Sequence, residues 1–330
     1  MAVRESEDRL LEWLRRRGGA TTARLGDDAA FVELRGDTAW TVDQQIAGVH
    51  FPVGLEPEVV AARLLEVCLS DLAAVGAGPW MGLLALSAPG GFDHRRFFAG
   101  LLTSCERRNV ELAGGDLTSG GVVHATLTVV GRRPGRQRWV RRDAARPGDR
   151  LWIAGAPGLS ALGQRLVARG ARFARRRVVL PDGVVPDGLE RIAARCVRRH
   201  LQPEAQLELG LWLGGQRRAA AIDLSDGLSL DLTRLCRASE CGAVLDPGAL
   251  DLPAPARELA RALGEEPLEL ALSGGEDYLL LAALPEGVEP PVSYRARSIG
   301  HVVSGGELWL DHGGSLRRLE PRGWDHLAAP

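Results

Sequence analysis

Thr41-Val42-Asp43-Gln44-Gln45-Ile46-Ala47-Gly48-Val49-His50-Phe51, with Gly26-Asp27-Asp28-Ala29-Ala30 just upstream, is the stretch around which the chain is organised. Carboxylates at 27, 28 and 43 flank the short apolar run Ala30-Phe31-Val32. A β-hairpin returning across that run would bring all three to one end of a sheet. Clustered carboxylates repel one another, so a cation is the usual reason to gather them. An oxygen-only donor set suits Mg²⁺ better than zinc. His50 lies seven residues after Asp43 and would reach a substrate from the same rim. A polar hairpin with solvated acids explains this stretch equally well, so the rest of the chain has to decide.

Composition narrows the choice. The 330 residues are 45% hydrophobic and 25% charged, which fits one large domain or two of typical size. A net charge of -1 gives no global field towards nucleic acid or a membrane surface. Residues 1–10 are charged, with no apolar stretch of a secretory signal, and no apolar run approaches the ~18 residues of a membrane span. The five cysteines are scattered without a CxxC pair, as expected of buried free thiols in a reducing cytoplasm. Lysine is absent, so all 41 basic residues are arginine. A GxxxxGK[ST] phosphate loop and a lysine Schiff base are therefore both impossible. A nucleotide would have to be neutralised by metal, arginine and backbone amides.

Taken in order, residues 5–17 read as a helix closed by Gly18-Gly19. Pro57 opens a long helical pattern that carries Asp71 in an otherwise apolar end, where an acid is costly unless paired, capping or metal-bound. Residues 80–87 read as a strand, 93–108 as a helix and 122–130 as a strand with His124 on one face. Between the last two, Gly114-Gly115-Asp116 reads as a turn at a strand end, where glycines let backbone approach a phosphate and the acid holds a cation. A plain glycine turn is the alternative. The Arg-, Pro- and Gly-rich stretch 131–149 marks a boundary between domains at 1–135 and 136–330. After it, Gly155-Ala156-Pro157-Gly158 resembles an anion-binding turn or a simple connection. Residues 165–199 hold ten arginines with only Phe173 among them, which favours a solvated helical face over RNA binding. Asp223-Leu224-Ser225-Asp226-Gly227 sits at a strand-to-helix turn, where α/β layers bind ligands. Ser273-Gly274-Gly275-Glu276-Asp277-Tyr278 is a second acid-loaded turn, and Trp324 near the end is either a core plug or a lid on a planar substrate.

Acidic turns thus recur at 26–28, 43, 71, 116 and 223–226, with 276–277 as a sixth. Mg²⁺ usually needs only one or two carboxylates plus phosphate oxygens, so this many suggests several ions clamping a polyphosphate. On these residues the chain resembles the thiamine-monophosphate kinases, within the superfamily of aminoimidazole ribonucleotide synthetase and selenophosphate synthetase. The resemblance runs through nearly the whole chain in order. It covers GDDAA (26–30), TVDQQIAGVHF (41–51), LSDLAAVGA (69–77), GGD (114–116), RRDAARPGD (141–149), IDLSDGL (222–228), SGGEDY (273–278) and GW (323–324). Each motif is weak alone; their order and spacing are specific.

The resemblance implies a two-domain α/β chain of α+β type, with mixed sheets packed by helices. It implies a dimer formed through the N-terminal halves, a C-terminal domain completing the active site, and ATP-dependent phosphorylation of thiamine monophosphate to thiamine diphosphate. By motif match, Asp27, Asp28, Thr41, Asp43, Asp71, Asp116, Asp223 and Asp226 become Mg²⁺ ligands. Phe98, Gly115, Asp116, Arg142 and Ser225 fall at ATP, and His50, Glu276 and Trp324 at the thiamine phosphate. Asp43, Asp116 and Arg142 would carry the chemistry. Val42 stands where a second hydroxyl is usual, Gln44-Gln45 where the pair is more apolar, Cys68 where Asn is common, and Leu279 where a polar residue often follows the Tyr. These departures bear on the metal count and the acceptor. The competing readings are a sister enzyme with another phosphate or amide acceptor, and a non-catalytic nucleotide- or RNA-binding protein.

Overall fold

The computed structural model describes residues 7–25, 29, 32–34, 36–174 and 177–325. Asp27 and Asp28 lie outside the described residues. The chain divides into two compact units, residues 1–72 with 77–135, and residues 73–76 with 136–330.

The first unit is built on a four-stranded mixed sheet in the order β1-β4-β2-β3, from β1 (Thr38–Ile46), β2 (Gly78–Ala88), β3 (Glu111–Ser119) and β4 (His124–Arg132). Only β2 and β3 run parallel; the other pairs are antiparallel. The helices are α1 (Glu7–Gly18), α2 (Pro57–Ala74) and α3 (His94–Arg108). Apolar spacing made α2 and α3 legible, and the Asp93 carboxylate caps α3 by accepting from the Arg96 amide at 2.9 Å. Glu66, buried on α2, ties the two helices by accepting from Arg107 at 3.0 Å and from Arg108 at 2.7 Å. The hairpin expected across residues 30–32 falls on Ala30 and Phe31, which lie outside the described residues. The strand partner of β1 is β4, 80 residues on, with Asp43 opposite Leu127.

The second unit is a seven-stranded sheet in the order β13-β12-β9-β11-β5-β10-β8, plus a small β6-β7 ribbon. Its strands are β5 (Arg150–Ala154), β6 (Arg172–Ala174), β7 (Arg177–Val179), β8 (Ala220–Asp223), β9 (Gly242–Leu245), β10 (Leu280–Leu284), β11 (Ala296–Val303), β12 (Leu308–Asp311) and β13 (Leu316–Leu319). Six helices, α4 (Leu159–Ala168), α5 (Glu190–Leu201), α6 (Leu207–Gly214), α7 (Leu228–Ala238), α8 (Ala254–Ala262) and α9 (Pro267–Ser273), complete it. Strands β8 and β10 are buried along their whole length, which is why β10 reads as an unbroken apolar run and β8 as one up to its last residue, Asp223. The core gathers Leu151, Ile153, Ile222, Leu232, Leu281 and Ile299. The architecture is therefore mixed α/β, as expected. All five cysteines are free and buried. Among the described residues no helix is long and apolar enough to cross a membrane.

Candidate functional site

In the first unit, strand alternation sends Thr41, Asp43 and Gln45 towards α2 and leaves Trp40, Val42 and Gln44 on the opposite, exposed face. Asp71 arrives from α2, and the Thr41 hydroxyl donates to its carboxylate. Cys68, one helical turn before Asp71, donates its thiol to the Leu127 carbonyl at 3.3 Å. Asp43 faces Asp71 and Cys68. Burial first, then the Asp71 charge and a shared hydrogen bond, push the Asp43 carboxyl up to about 7, while the neighbouring Cys68 side chain works the other way. Burial and the two carboxylates hold the Cys68 thiol well above its ordinary range, which makes it a poor nucleophile. That donor set of two carboxylates and a hydroxyl is hard oxygen, and it fits Mg²⁺ completed by phosphate oxygens. Among the described residues no group of three or more His, Cys, Asp or Glu is arranged to hold a metal unaided.

His50 follows β1 in the turn closed by the Ala47–Phe51 bridge. Its Nδ1 accepts from the Ile46 amide at 3.1 Å, so a neutral ring carries its proton on Nε2. Asp116 departs from expectation. Gly115 and Asp116 lie inside β3, not in a turn. The register runs Asp116–Ala85–Thr126–Gln44 across the sheet, so Asp116 shares the exposed face with Gln44 while Asp43 points to the other. Strands β4 and β2 also stand between β1 and β3, a separation of roughly 14 Å. The glycine at 115 has a reason within the sheet, since a Cβ there would fall 2.0 Å from the Leu84 carbonyl oxygen. Phe98 is buried in the helical layer, edge-on to Phe97 at 5.6 Å between centroids.

The second unit joins the two acid-bearing turns. The Glu276 amide donates to the Ser225 carbonyl at 2.7 Å, and the Tyr278 amide to the Leu224 carbonyl at 2.8 Å. Glu276 and Tyr278 hold positive φ of 62° and 49°, a conformation that non-glycine residues adopt at a cost. Asp223 closes β8 and is buried. The Trp324 amide donates to the Asp226 carbonyl at 2.9 Å, bringing the chain end onto the same turn. Asp223, Ser225, Asp226, Glu276 and Trp324 are thus brought together. Arg142 sits exposed on a single 3-10 turn, its carbonyl accepting from the Ser239 hydroxyl at 2.6 Å.

Two residues of this site escaped the sequence reading. Asp231, buried on α7, accepts from the Asp226 and Gly227 amides at 3.0 and 3.1 Å. Burial pushes its carboxyl up to about 6 against those bonds. Arg234 then bridges Asp226 at 2.5 Å and Asp231 at 2.6 Å. The signal was available, because Asp231 falls on the apolar side of α7 beside Leu228 and Leu235. Asp277 is no ligand candidate in the structure. It is buried, and it accepts from the Gly158 amide at 2.5 Å and the Ser160 amide at 3.1 Å, capping α4. The 155–158 turn does bind an anion, and that anion is the protein's own carboxylate. Arg199 is likewise no solvated surface charge, since it donates to the Asp277 carbonyl at 2.5 Å and burial lowers its pKa.

With this geometry in hand, the chain can be set beside known proteins. Residues 26–133 match the family model for the N-terminal domain of AIR synthase related proteins. The thiamine-monophosphate kinase of Escherichia coli is 33% identical over 322 residues, spanning 93% of this chain and 92% of the relative. The solved structure of AaThiL complexed with AMPPCP and TMP superposes with a TM-score of 0.77 at 27% identity, covering 99% of this chain and all of the other. The crystal structure of thiamine-monophosphate kinase from Stenotrophomonas maltophilia gives 0.76 at 29% identity, over 93% and 96% of the two chains. Identity of 33% over 93% of its length places the chain in the thiamine-monophosphate kinase family.

Proposed function

We propose that this protein transfers the terminal phosphoryl group of ATP to thiamine monophosphate, giving thiamine diphosphate, with Mg²⁺ as the activating ion. The observation that carries this reading is full-length likeness to a kinase solved with AMPPCP and TMP together. The acceptor oxygen belongs to a phosphate already ionised at neutral pH, so no strong general base is needed. Catalysis then rests on in-line positioning and neutralisation of charge. Thr41, Asp43 and Asp71 supply hard oxygen to the ion in the first unit, joined by Asp27 and Asp28, and Asp223 and Asp226 do so in the second; Asp116, on the opposite face of the sheet from Asp43, stands outside that first set. Bound there, Mg²⁺ neutralises phosphate oxygens and withdraws charge from the breaking bond. Gly115, Ser225 and Arg142 address the nucleotide; among the described residues Arg142 has no carboxylate partner, and its neighbour Asp143 is paired with Arg141 at 2.6 Å. The Nε2 proton of His50 serves the acceptor phosphate. Glu276 offsets the cationic thiazolium, and the Trp324 indole stacks on a thiamine ring. The buried free thiols fit a reducing cytoplasm.

The direct test is thiamine diphosphate formation from thiamine monophosphate and ATP, followed by chromatography with and without Mg²⁺. Product is expected only with the ion. ATP hydrolysis with another acceptor and no thiamine diphosphate would move the assignment to a sister enzyme.

We further propose a homodimer through the outer face of the first unit's sheet. Trp40, Val42 and Leu83 expose 55%, 59% and 43% of their surface there, an apolar strip that a monomer rarely leaves open. Val42→Arg is expected to halve the mass seen by sedimentation. An unchanged mass would place the interface elsewhere.

A further inference from the structure

The chain's last described segment, 320–325, belongs to no helix or strand, so side-chain and backbone contacts set its path. Ser229 supplies two of them. It is the second residue of α7 and is buried to within 1% of its surface. Its hydroxyl donates to the Arg322 carbonyl at 2.7 Å and accepts from the Arg322 amide at 3.0 Å. One side chain therefore satisfies both polar groups of one backbone residue. The next residue is pressed flat against the helix start, because a Cβ at Gly323 would lie 2.5 Å from the Asp226 carbonyl oxygen and 2.9 Å from the Leu230 side chain. The Trp324 amide then closes onto Asp226 at 2.9 Å.

We infer that Ser229 is a positioning residue for acceptor recognition: it clasps the 322–324 segment to the start of α7 and so fixes where the Trp324 indole stands. The inference rests on the proposed role of Trp324. Its consequence is a coupling within one turn, because Trp324 is bonded to Asp226 while Glu276 is bonded to its neighbour Ser225. The aromatic and the anionic element of acceptor binding are then referenced to two consecutive peptides. Without the clasp, the segment has to be ordered at the moment of binding, and that ordering cost falls on acceptor affinity and not on the phosphoryl-transfer step. Arg322 contributes only its backbone to the clasp; its side chain is mostly exposed.

The test is steady-state kinetics on Ser229→Ala and Gly323→Ala, with amide hydrogen exchange on the same proteins. Each variant is expected to raise KM for thiamine monophosphate about tenfold, with kcat and KM for ATP within about twofold. Exchange at the Trp324 amide should quicken in Ser229→Ala. In a Trp324→Ala background, adding Ser229→Ala should cost nothing further, since the group it positions is gone. A structural role alone would instead lower kcat and affect both substrates together, and that result overturns the proposal. An unchanged KM in Ser229→Ala, with Trp324→Ala still impaired, also overturns it while leaving the assigned reaction intact. Wild-type protein that makes no thiamine diphosphate would refute the reaction itself, and the exchange measurement would still decide whether the clasp exists.

Discussion

Asp43→Asn is expected to lower kcat about a thousandfold, the scale seen when one electrostatic contact to the developing charge is removed, while making the metal-free protein more stable above neutral pH. The two effects share a cause. Asp43 is pressed against Asp71 in a partly desolvated place, which pushes its carboxyl up to about 7 from an ordinary 3.8. A carboxyl whose folded pKa is raised holds its proton more tightly in the native state than in the unfolded chain. Its contribution is therefore most favourable below about 4 and is lost progressively as pH rises through 7. At pH 8 the native state carries two adjacent charges that a bound cation would neutralise. Asparagine keeps the shape and removes one charge, so stability without metal should rise, in the way residues retained for function often limit it. Thermal melts in chelator at pH 5 and pH 8 check this, with the variant's advantage larger at pH 8. Near-normal turnover in Asp43→Asn would sink the metal-clamp account. Equal melting behaviour at both pH values would show that Asp43 and Asp71 are not coupled.

Asp277→Ala should destabilise the protein by about 3 kcal/mol without touching any group assigned to a substrate. The carboxylate accepts from two buried amides at the start of α4, and the Arg199 guanidinium lies against its own backbone carbonyl. Truncation strips two amide donors of their acceptor at once, where water does not readily replace it. Desolvation raises the Asp277 carboxyl to about 6 even with these bonds, so the native state loses ground as pH climbs from about 4 through 6, and Asp277→Asn should be milder than alanine. Urea denaturation of the three proteins measures the order. A loss below about 1 kcal/mol for alanine would mean that α4 keeps its first turn without the cap.

Local pattern carried most of what the sequence determined here. Helical spacing located α2, α3 and α7, apolar runs located β8 and β10, and acids next to glycines marked the turns at 223–227 and 274–278. Those signals are legible because they repeat within a few residues and follow from the geometry of a single element. Which face an acid takes, and which partner meets it, was left to the tertiary structure. Asp43 and Asp116 look alike in sequence, yet strand order and register turn them to opposite faces of one sheet. Glu276 and Asp277 are neighbours, yet one backbone step sends the first towards His200, 3.2 Å away, and the second into the interior to cap a helix 119 residues earlier. Asp231 looked like an ordinary helix residue until its partners were seen to be the amides of the Asp226 turn. A carboxylate's role depends on the charge, amide or solvent it meets, and those partners come from distant parts of the chain that only folding brings within hydrogen-bonding distance.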